Sequence, residues 1–243
     1  AKRKKIIVLE DNCESLGAKY KGKLTGTYGL ISTCSSYFSH HISTIEGGYM
    51  LTNSKYIDAM AKSLRSHGWA RDESSKLLIT KNDRKINKKF LFLLPGYNLR
   101  PTEINAALGM SQIKKLNKFI KIRRDNFIQI SKIFSSLNNF ILQKENGMSS
   151  WFGFGILYTK KNKKKFEFII NTLESKGVET RPIITGDFTK QPVIKYFKYR
   201  KSKSLKNIND LNNYGFMIGN NSEIIKKEIV KKLMFIFREL DKI

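Results

Sequence analysis

Ile6-Ile7-Val8-Leu9-Glu10-Asp11 follows a short basic start, Ala1–Lys5. Four apolar residues in a row, three of them β-branched, run straight into two acids. The pattern reads as a buried strand that ends in carboxylates. Open α/β sheets gather their working groups at the carboxyl ends of strands, so Asp11 stands where a functional acid belongs. An Asp in that place is also a common turn former, and spacing alone favours the turn. Further along, Gly26–Gly29 reads as a turn and Leu30–Phe38 as a strand. Glu46-Gly47-Gly48 reads as a tight turn and Tyr49–Thr52 as a third strand. Lys55–His67 has helical spacing, with Ile57, Met60, Ala61 and Leu64 on one face. Residues 70–89 are polar and aperiodic, as in a surface loop. Pro95–Asn98 is a turn, and helices are expected from Pro101 through Met110 and from Phe119 to Phe134. Beyond them the pattern predicts a strand at Phe152–Tyr158, a helix at Lys163–Lys176 stopped by Gly177, a strand at Val178–Ile184 and a terminal helix at Ser222–Leu240. This order predicts the end of an α/β domain, residues 1–112, followed by a smaller α+β domain, residues 113–243. The first residue is Ala, with the strand almost directly behind it, so the chain reads as the later part of something longer.

Forty-six Lys and Arg against 20 Asp and Glu give a net charge of +26. Such a balance raises the prospect of nucleic acid. The basic residues are nevertheless spread over short runs, Lys2–Lys5, Lys85–Lys89, Arg123-Arg124, Lys160–Lys165 and Tyr199–Lys206, with no single stripe of interleaved aromatics. This scatter favours a solvated surface and no specific nucleic-acid partner. The longest apolar runs, such as Phe90–Pro95, are far short of the ~20 residues a membrane span needs. The only two cysteines, Cys13 and Cys34, lack metal-ligand spacing, so reduced thiols in a cytoplasmic setting are expected.

Taken singly, the polar candidates are ambiguous. His40 and His41 sit between a strand and a Gly-Gly turn, but no carboxylate or cysteine near them has ligand spacing, so no metal site is expected. A hydrogen-bonded histidine is the plainer reading. Ser35 could bind phosphate or simply pack, Arg181 could clamp an anion or lie in solvent, and Asn98 could be a turn former. Cys13 and Cys34 show no activating surroundings and read as core residues.

Their order along the chain is more telling. Val8–Gly17 (VLEDNCESLG) resembles the "EDxA…G" segment of the DegT/StrS sugar aminotransferase family. Ser35–Gly48 (SSYFSHHISTIEGG) resembles its "SFxxxKxxxxxEGG" segment, and Gly96–Gly109 (GYNLRPTEINAALG) its "GYNxRxTxxQAALG" segment. Gln112–Leu116 and Arg123-Arg124 continue the likeness. Gly177–Pro182 and Gly186–Pro192 look like "GIxTRPxxxGNxxxQP".

The resemblance implies a fold type I pyridoxal-phosphate architecture: the C-terminal part of the large cofactor-binding domain, then a small α+β domain, in a homodimer. It implies that Asp11 pairs with the pyridine nitrogen, that Ser35 binds the cofactor phosphate and that Asn98 reaches the phosphate of the neighbouring subunit. Glu14 stands where the family often has Gln beside the ring hydroxyl, and Arg181 falls at the substrate. Counting back six from Glu46 puts His40 where the family has the lysine that bonds the cofactor. Imidazole cannot form that bond, but its pKa of about 6.5 suits proton transfer. Histidine here resembles the sugar 3-dehydratases of the GDP-4-keto-6-deoxymannose 3-dehydratase kind. These hold pyridoxal or pyridoxamine 5'-phosphate noncovalently, take the amino group from a donor such as glutamate, and remove the 3-hydroxyl of a nucleotide-linked 4-keto-6-deoxy sugar. With two cysteines the chain has too few for the four-cysteine iron–sulfur cluster of a related subgroup. Two other readings stay open: a sugar aminotransferase-like protein that lost its lysine, and a basic binding protein on a decayed enzyme fold.

Overall fold

A computed structural model describes residues 1–202 and 204–243. Lys203, inside the basic run Tyr199–Lys206, lies outside the described residues. The chain divides into two compact units, Ala1–Leu116 and Asn117–Ile243.

The first unit carries a three-stranded sheet in the order β1-β4-β5. Its strands are β1 (Leu9–Asp11), β4 (Ile31–Ser35) and β5 (Gly48–Leu51). β1 runs parallel to β4, with Asp11 opposite Thr33, and β5 is antiparallel to β4, with Gly48 opposite Ser35. A small antiparallel pair, β2 (Lys19–Tyr20) and β3 (Lys23–Leu24), links β1 to β4. The strand expected from Ile6 is shorter than its apolar run: Ile6, Ile7 and Val8 precede it, and Ile6–Leu9 are exposed rather than buried. Such a run signals what a strand needs in order to be covered. Among the described residues β1 pairs with one strand, β4, and the side chains of Ile6–Leu9 are exposed.

After β5 comes α1 (Lys55–Leu64), capped by the Ser54 side chain, which accepts from the Ile57 N–H. Its buried residues are Ala59 and Ser63, while Ile57, Met60, Ala61 and Leu64 are half-buried. The 70–89 stretch is not structureless. It contains short 3₁₀ segments at Glu73–Leu77 and Asp83–Lys85, and another, Lys88–Phe90, runs across its end. Helix α2 (Glu103–Ile113) begins with a capping box between Thr102 and Asn105 and has no buried residue.

The second unit begins within α3 (Leu116–Phe134) and is built on an antiparallel sheet in the order β6-β7-β9-β8. The strands are β6 (Phe140–Leu142), β7 (Gly153–Tyr158), β8 (Thr180–Pro182) and β9 (Gly215–Gly219). The helices are α3, α4 (Lys163–Ser175), α5 (Lys206–Tyr214) and α6 (Lys227–Asp241). The period of two along β7 turns Phe154, Ile156 and Tyr158 into the core. They meet Ile130 and Phe134 of α3, Ile169 and Leu173 of α4, Phe216 and Ile218 of β9, and Ile236, Phe237 and Leu240 of α6. Helix α4 ends where expected: Gly177 takes φ +81°, and the N–H groups of Gly177 and Val178 cap Glu174 O and Leu173 O. Strand β8 is shorter than the expected Val178–Ile184. Pro182 in it has no N–H to give, which suits a strand at the edge of the sheet, paired among the described residues with β9 alone.

Candidate functional site

Asp11 closes β1, and Asn12 N–H donates to Thr33 O at 2.9 Å, so the parallel ladder holds to the strand's end. Two residues beyond Thr33, β4 ends at Ser35. Asp11 and Ser35 therefore stand at the carboxyl ends of neighbouring parallel strands, the place where open α/β sheets do their work. The chain then leaves the sheet in a loop, residues 37–43, that carries His40 and closes on itself. Thr44 N–H donates to Ser36 O at 2.8 Å, Ser36 N–H to Gly47 O at 3.0 Å, and the Ser36 and Thr44 hydroxyls meet at 2.6 Å. Asp11 and Ser35 thus stand at the same end of the sheet, and the loop that carries His40 leaves the sheet from that end.

Two residues assigned no site role from sequence, Glu10 and Asn12, set the surroundings of Asp11. Burial pushes the Glu10 carboxyl up, but the N–H groups of Gly29, Gly26 and Tyr28 outweigh it and hold it below the usual carboxylate range. These amides lie 2.5, 2.7 and 2.6 Å from its oxygens, so Glu10 ties the turn to β1. Buried Asn12 does the same for the segment beyond. Its Oδ1 accepts from the hydroxyls of Ser15 (2.5 Å) and Thr25 (2.7 Å), and its Nδ2 reaches the Cys34 sulfur at 3.5 Å. Glu10 lies within β1 and Asn12 just past its end, on either side of Asp11.

The Asp11 carboxylate is exposed and is held below its ordinary pKa by the Cys13 thiol and N–H, the latter at 3.1 Å. It is an anion at neutral pH with lone pairs to spare. Ser35 Oγ accepts from Tyr37 N–H at 3.2 Å and keeps its own proton to donate. The His40 imidazole is half-buried, its ring centre 5.9 Å from that of Tyr37 in an edge-on arrangement. His41 beside it is buried. Burial pushes both thiols, Cys13 and Cys34, up, so both stay protonated. Cys34 is buried, whereas Cys13, read as a core residue, is only half-buried because it lies past the strand end. Burial, followed by repulsion from Cys34 once that thiol ionises at high pH, raises the Tyr49 phenol to about 12.

The other expected residues lie on other elements. Glu14 is exposed in the segment after Asp11. Asn98 pairs with Ser66 in an isolated antiparallel bridge, and its Oδ1 accepts from Arg100 Nε at 3.3 Å. Gly68 and Gly96 allow the two segments to run together: a Cβ on Gly96 would sit 2.0 Å from Gly68 N. Arg181 belongs to the second unit, exposed on β8, where it pairs with Glu179 at 2.9 Å. An exposed pair of this kind is weak and readily exchanged for another anion. Among the described residues no group of three or more His, Cys, Asp or Glu is placed to hold a metal ion, and no helix is long and apolar enough to cross a membrane.

The carboxylate of Asp11, the hydroxyl of Ser35 and the imidazole of His40 are of the chemical types that could hold a phosphorylated pyridine cofactor. Comparison with known proteins shows which family the chain resembles. Residues 1–234 match the DegT/DnrJ/EryC1/StrS aminotransferase family. The chain is 41% identical over 227 residues to GDP-4-keto-6-deoxy-D-mannose 3-dehydratase of Escherichia coli O55:H7, covering 92% of this chain and 58% of that protein. It is 39% identical over 239 residues to the enzyme of the same name from Yersinia pseudotuberculosis, covering 97% of this chain and 61% of that one. The solved structure of the E. coli dehydratase with bound hydrated PLP superposes with a TM-score of 0.88 at 37% identity, over 95% of this chain and 60% of that one. The chain thus spans about three-fifths of the length of the relatives it matches.

Proposed function

The chain belongs to the DegT/DnrJ/EryC1/StrS aminotransferase family, and from that premise we propose that it supplies the acid–base group of a sugar 3-dehydratase. The substrate is a nucleotide-linked 4-keto-6-deoxy sugar, and the product lacks its 3-hydroxyl. The observation that carries this reading is the imidazole of His40, on a loop closed at its neck beside Ser35, where the family pattern has a lysine. An imidazole moves protons but cannot tether the cofactor.

When bound, pyridoxamine or pyridoxal 5'-phosphate supplies a cationic ring that takes up an electron pair released by breaking a neighbouring C–H bond. Asp11, held ionised, keeps that ring protonated at its nitrogen. Ser35 Oγ donates to the phosphate, and Asn98 serves the phosphate held by a second subunit. Glu14 stands beside the ring hydroxyl. His40 accepts the proton on an imidazole nitrogen and gives one up as the 3-hydroxyl leaves as water. Arg181 offers its guanidinium to the anionic substrate in place of Glu179. Glutamate restores the amine form. A homodimer agrees with helix α2, which has no buried residue yet shows Ile104, Met110 and Ile113 to solvent. A cytoplasmic setting agrees with the two free thiols.

The test uses the full-length protein loaded with pyridoxamine 5'-phosphate, a GDP-linked 4-keto-6-deoxy sugar and product analysis. The expected product has lost the 3-hydroxyl; an amino sugar would replace this reading with that of an aminotransferase. In single turnover, His40→Asn should slow dehydration by ~10²–10⁴-fold with cofactor binding intact. His41 is buried, so His41→Asn should lower stability far more than rate. A wild-type rate in His40→Asn removes the proton-transfer role.

A further inference from the structure

One side chain joins the His40 loop to helix α2. Thr44 and Glu46 mark the point where the loop returns to the sheet, and both of their carbonyls accept from the Asn105 amide. Nδ2 lies 2.7 Å from Thr44 O and 3.1 Å from Glu46 O. The oxygen of the same amide accepts from Thr102 N–H at 3.3 Å and from the Thr102 hydroxyl at 2.5 Å, while Thr102 Oγ1 accepts from Asn105 N–H at 3.4 Å. Asn105, the third residue of α2, is therefore Thr102's partner in the capping box and the tie to the loop at once. A primary amide, with donors and an acceptor on one plane, can do both.

The neck it grips has little room to slip. Thr44 Oγ1, already against Ser36 Oγ, also donates to Glu46 O at 2.9 Å. Gly47 takes φ +143°, and a Cβ there would meet Thr44 Oγ1 at 2.7 Å and Ser36 Oγ at 3.0 Å. On the helix side, a Cβ on Gly109 would come within 3.2 Å of Thr44 Cγ2. α2 thus lies directly against the neck, and Asn105 is its polar fastening there.

We propose that Asn105 is a positioning residue for His40: it fastens the neck of the 37–43 loop to the first turn of α2 and so sets where the imidazole stands. The proposal rests on the reading of His40 as the acid–base group. Proton transfer requires hydrogen-bond reach, and a displacement of 1 Å can cost ~10²-fold in rate.

Two substitutions separate the fastening from the helix cap. Asn105→Asp keeps the acceptor that caps the helix but removes both donors and turns a carboxylate toward two carbonyls. Thr102→Val removes the cap hydroxyl and leaves Nδ2 in place. In the full-length protein, amide hydrogen exchange over residues 37–44 should speed up in Asn105→Asp and stay at the wild-type rate in Thr102→Val. In Asn105→Asp, kcat should fall roughly 10–100-fold with KM for the nucleotide sugar unchanged. Asn105→Asp should add no further loss to His40→Asn, because both act through one imidazole. Wild-type exchange over 37–44 in Asn105→Asp overturns the fastening, whatever His40 does. Fully additive losses in the double variant overturn the route through His40 and leave Asn105 a folding role only. If His40→Asn is itself as fast as wild type, the acid–base reading falls and takes the rate effect with it, while the exchange data still decide the fastening on their own.

Discussion

Glu10 and Asp11 are adjacent carboxylates with different surroundings. Glu10 is consumed by three backbone amides, whereas Asp11 keeps lone pairs open to solvent. The Glu10 pKa lies below its ordinary value in the folded chain. A carboxyl depressed on folding adds stability that is fully present above its unfolded pKa, about 4.3, and is lost as pH falls through the folded value. The N–H signals of Gly26, Tyr28 and Gly29 should therefore titrate together below about pH 4.3. In Glu10→Gln that step should vanish and stability in the same window should become flatter; unchanged titration of the three amides in the variant would show that they report another group. From sequence, the acids at the end of the apolar run were legible as a pair, but their division of labour was not. It depends on which carboxylate faces the returning Gly26–Gly29 turn, and that follows from the register Asp11–Thr33, which no local pattern encodes. Asn105 was hidden for the same reason, since its partners Thr44 and Glu46 lie 61 and 59 residues away.

Long helices announce themselves by period, and α3, α4 and α6 fell close to their expected places. The expected start of the last helix at Ser222 was early: α6 begins at Lys227, after residues whose backbone groups tie to α3, as in Ile225 N–H to Asn126 Oδ1 at 2.9 Å. The short elements β6, α5 and β9 were missed, because three to nine residues are too few for a period to stand out. β9 is nonetheless among the most buried strands, with Gly215, Phe216 and Ile218 inside. Its neighbours include the aromatic cluster in which Phe237 of α6 packs against Phe134 at 4.8 Å and Phe140 at 5.5 Å. Phe237 is fully buried, so Phe237→Ala should destabilise the second unit by about 3–5 kcal/mol, the usual cost of an aromatic-sized cavity. Denaturant unfolding followed by Trp151 fluorescence measures it, since Trp151 stacks on Phe127 within the same core. A loss under about 1 kcal/mol would mean that the cluster closes over the gap.

Across the whole molecule, +26 is a large charge for 243 residues. Much of it lies on exposed lysines, and several ion pairs, such as Lys76–Glu73 and Lys121–Asp125, are surface pairs that neutralise little of it. The field favours any polyanion without selecting one. Duplex DNA binding should be weak, indifferent to sequence, and lost between roughly 50 and 200 mM salt as counterion release requires. Sequence-selective binding that survives physiological salt would contradict this.

The strand order β6-β7-β9-β8 also bears on how the chain is made. Among the described residues β9 is made after the other strands of this sheet, yet it sits between β7 and β8, and β8 pairs with no other strand. While a ribosome is still reading codons before residue 215, the open edge of β7 has nothing to pair with and β8 has nowhere to go. An unpaired, apolar strand edge invites association with other chains. The second unit must therefore wait, uncommitted, until nearly all of it has emerged. Its folding is set less by local helix formation than by the arrival of one five-residue strand.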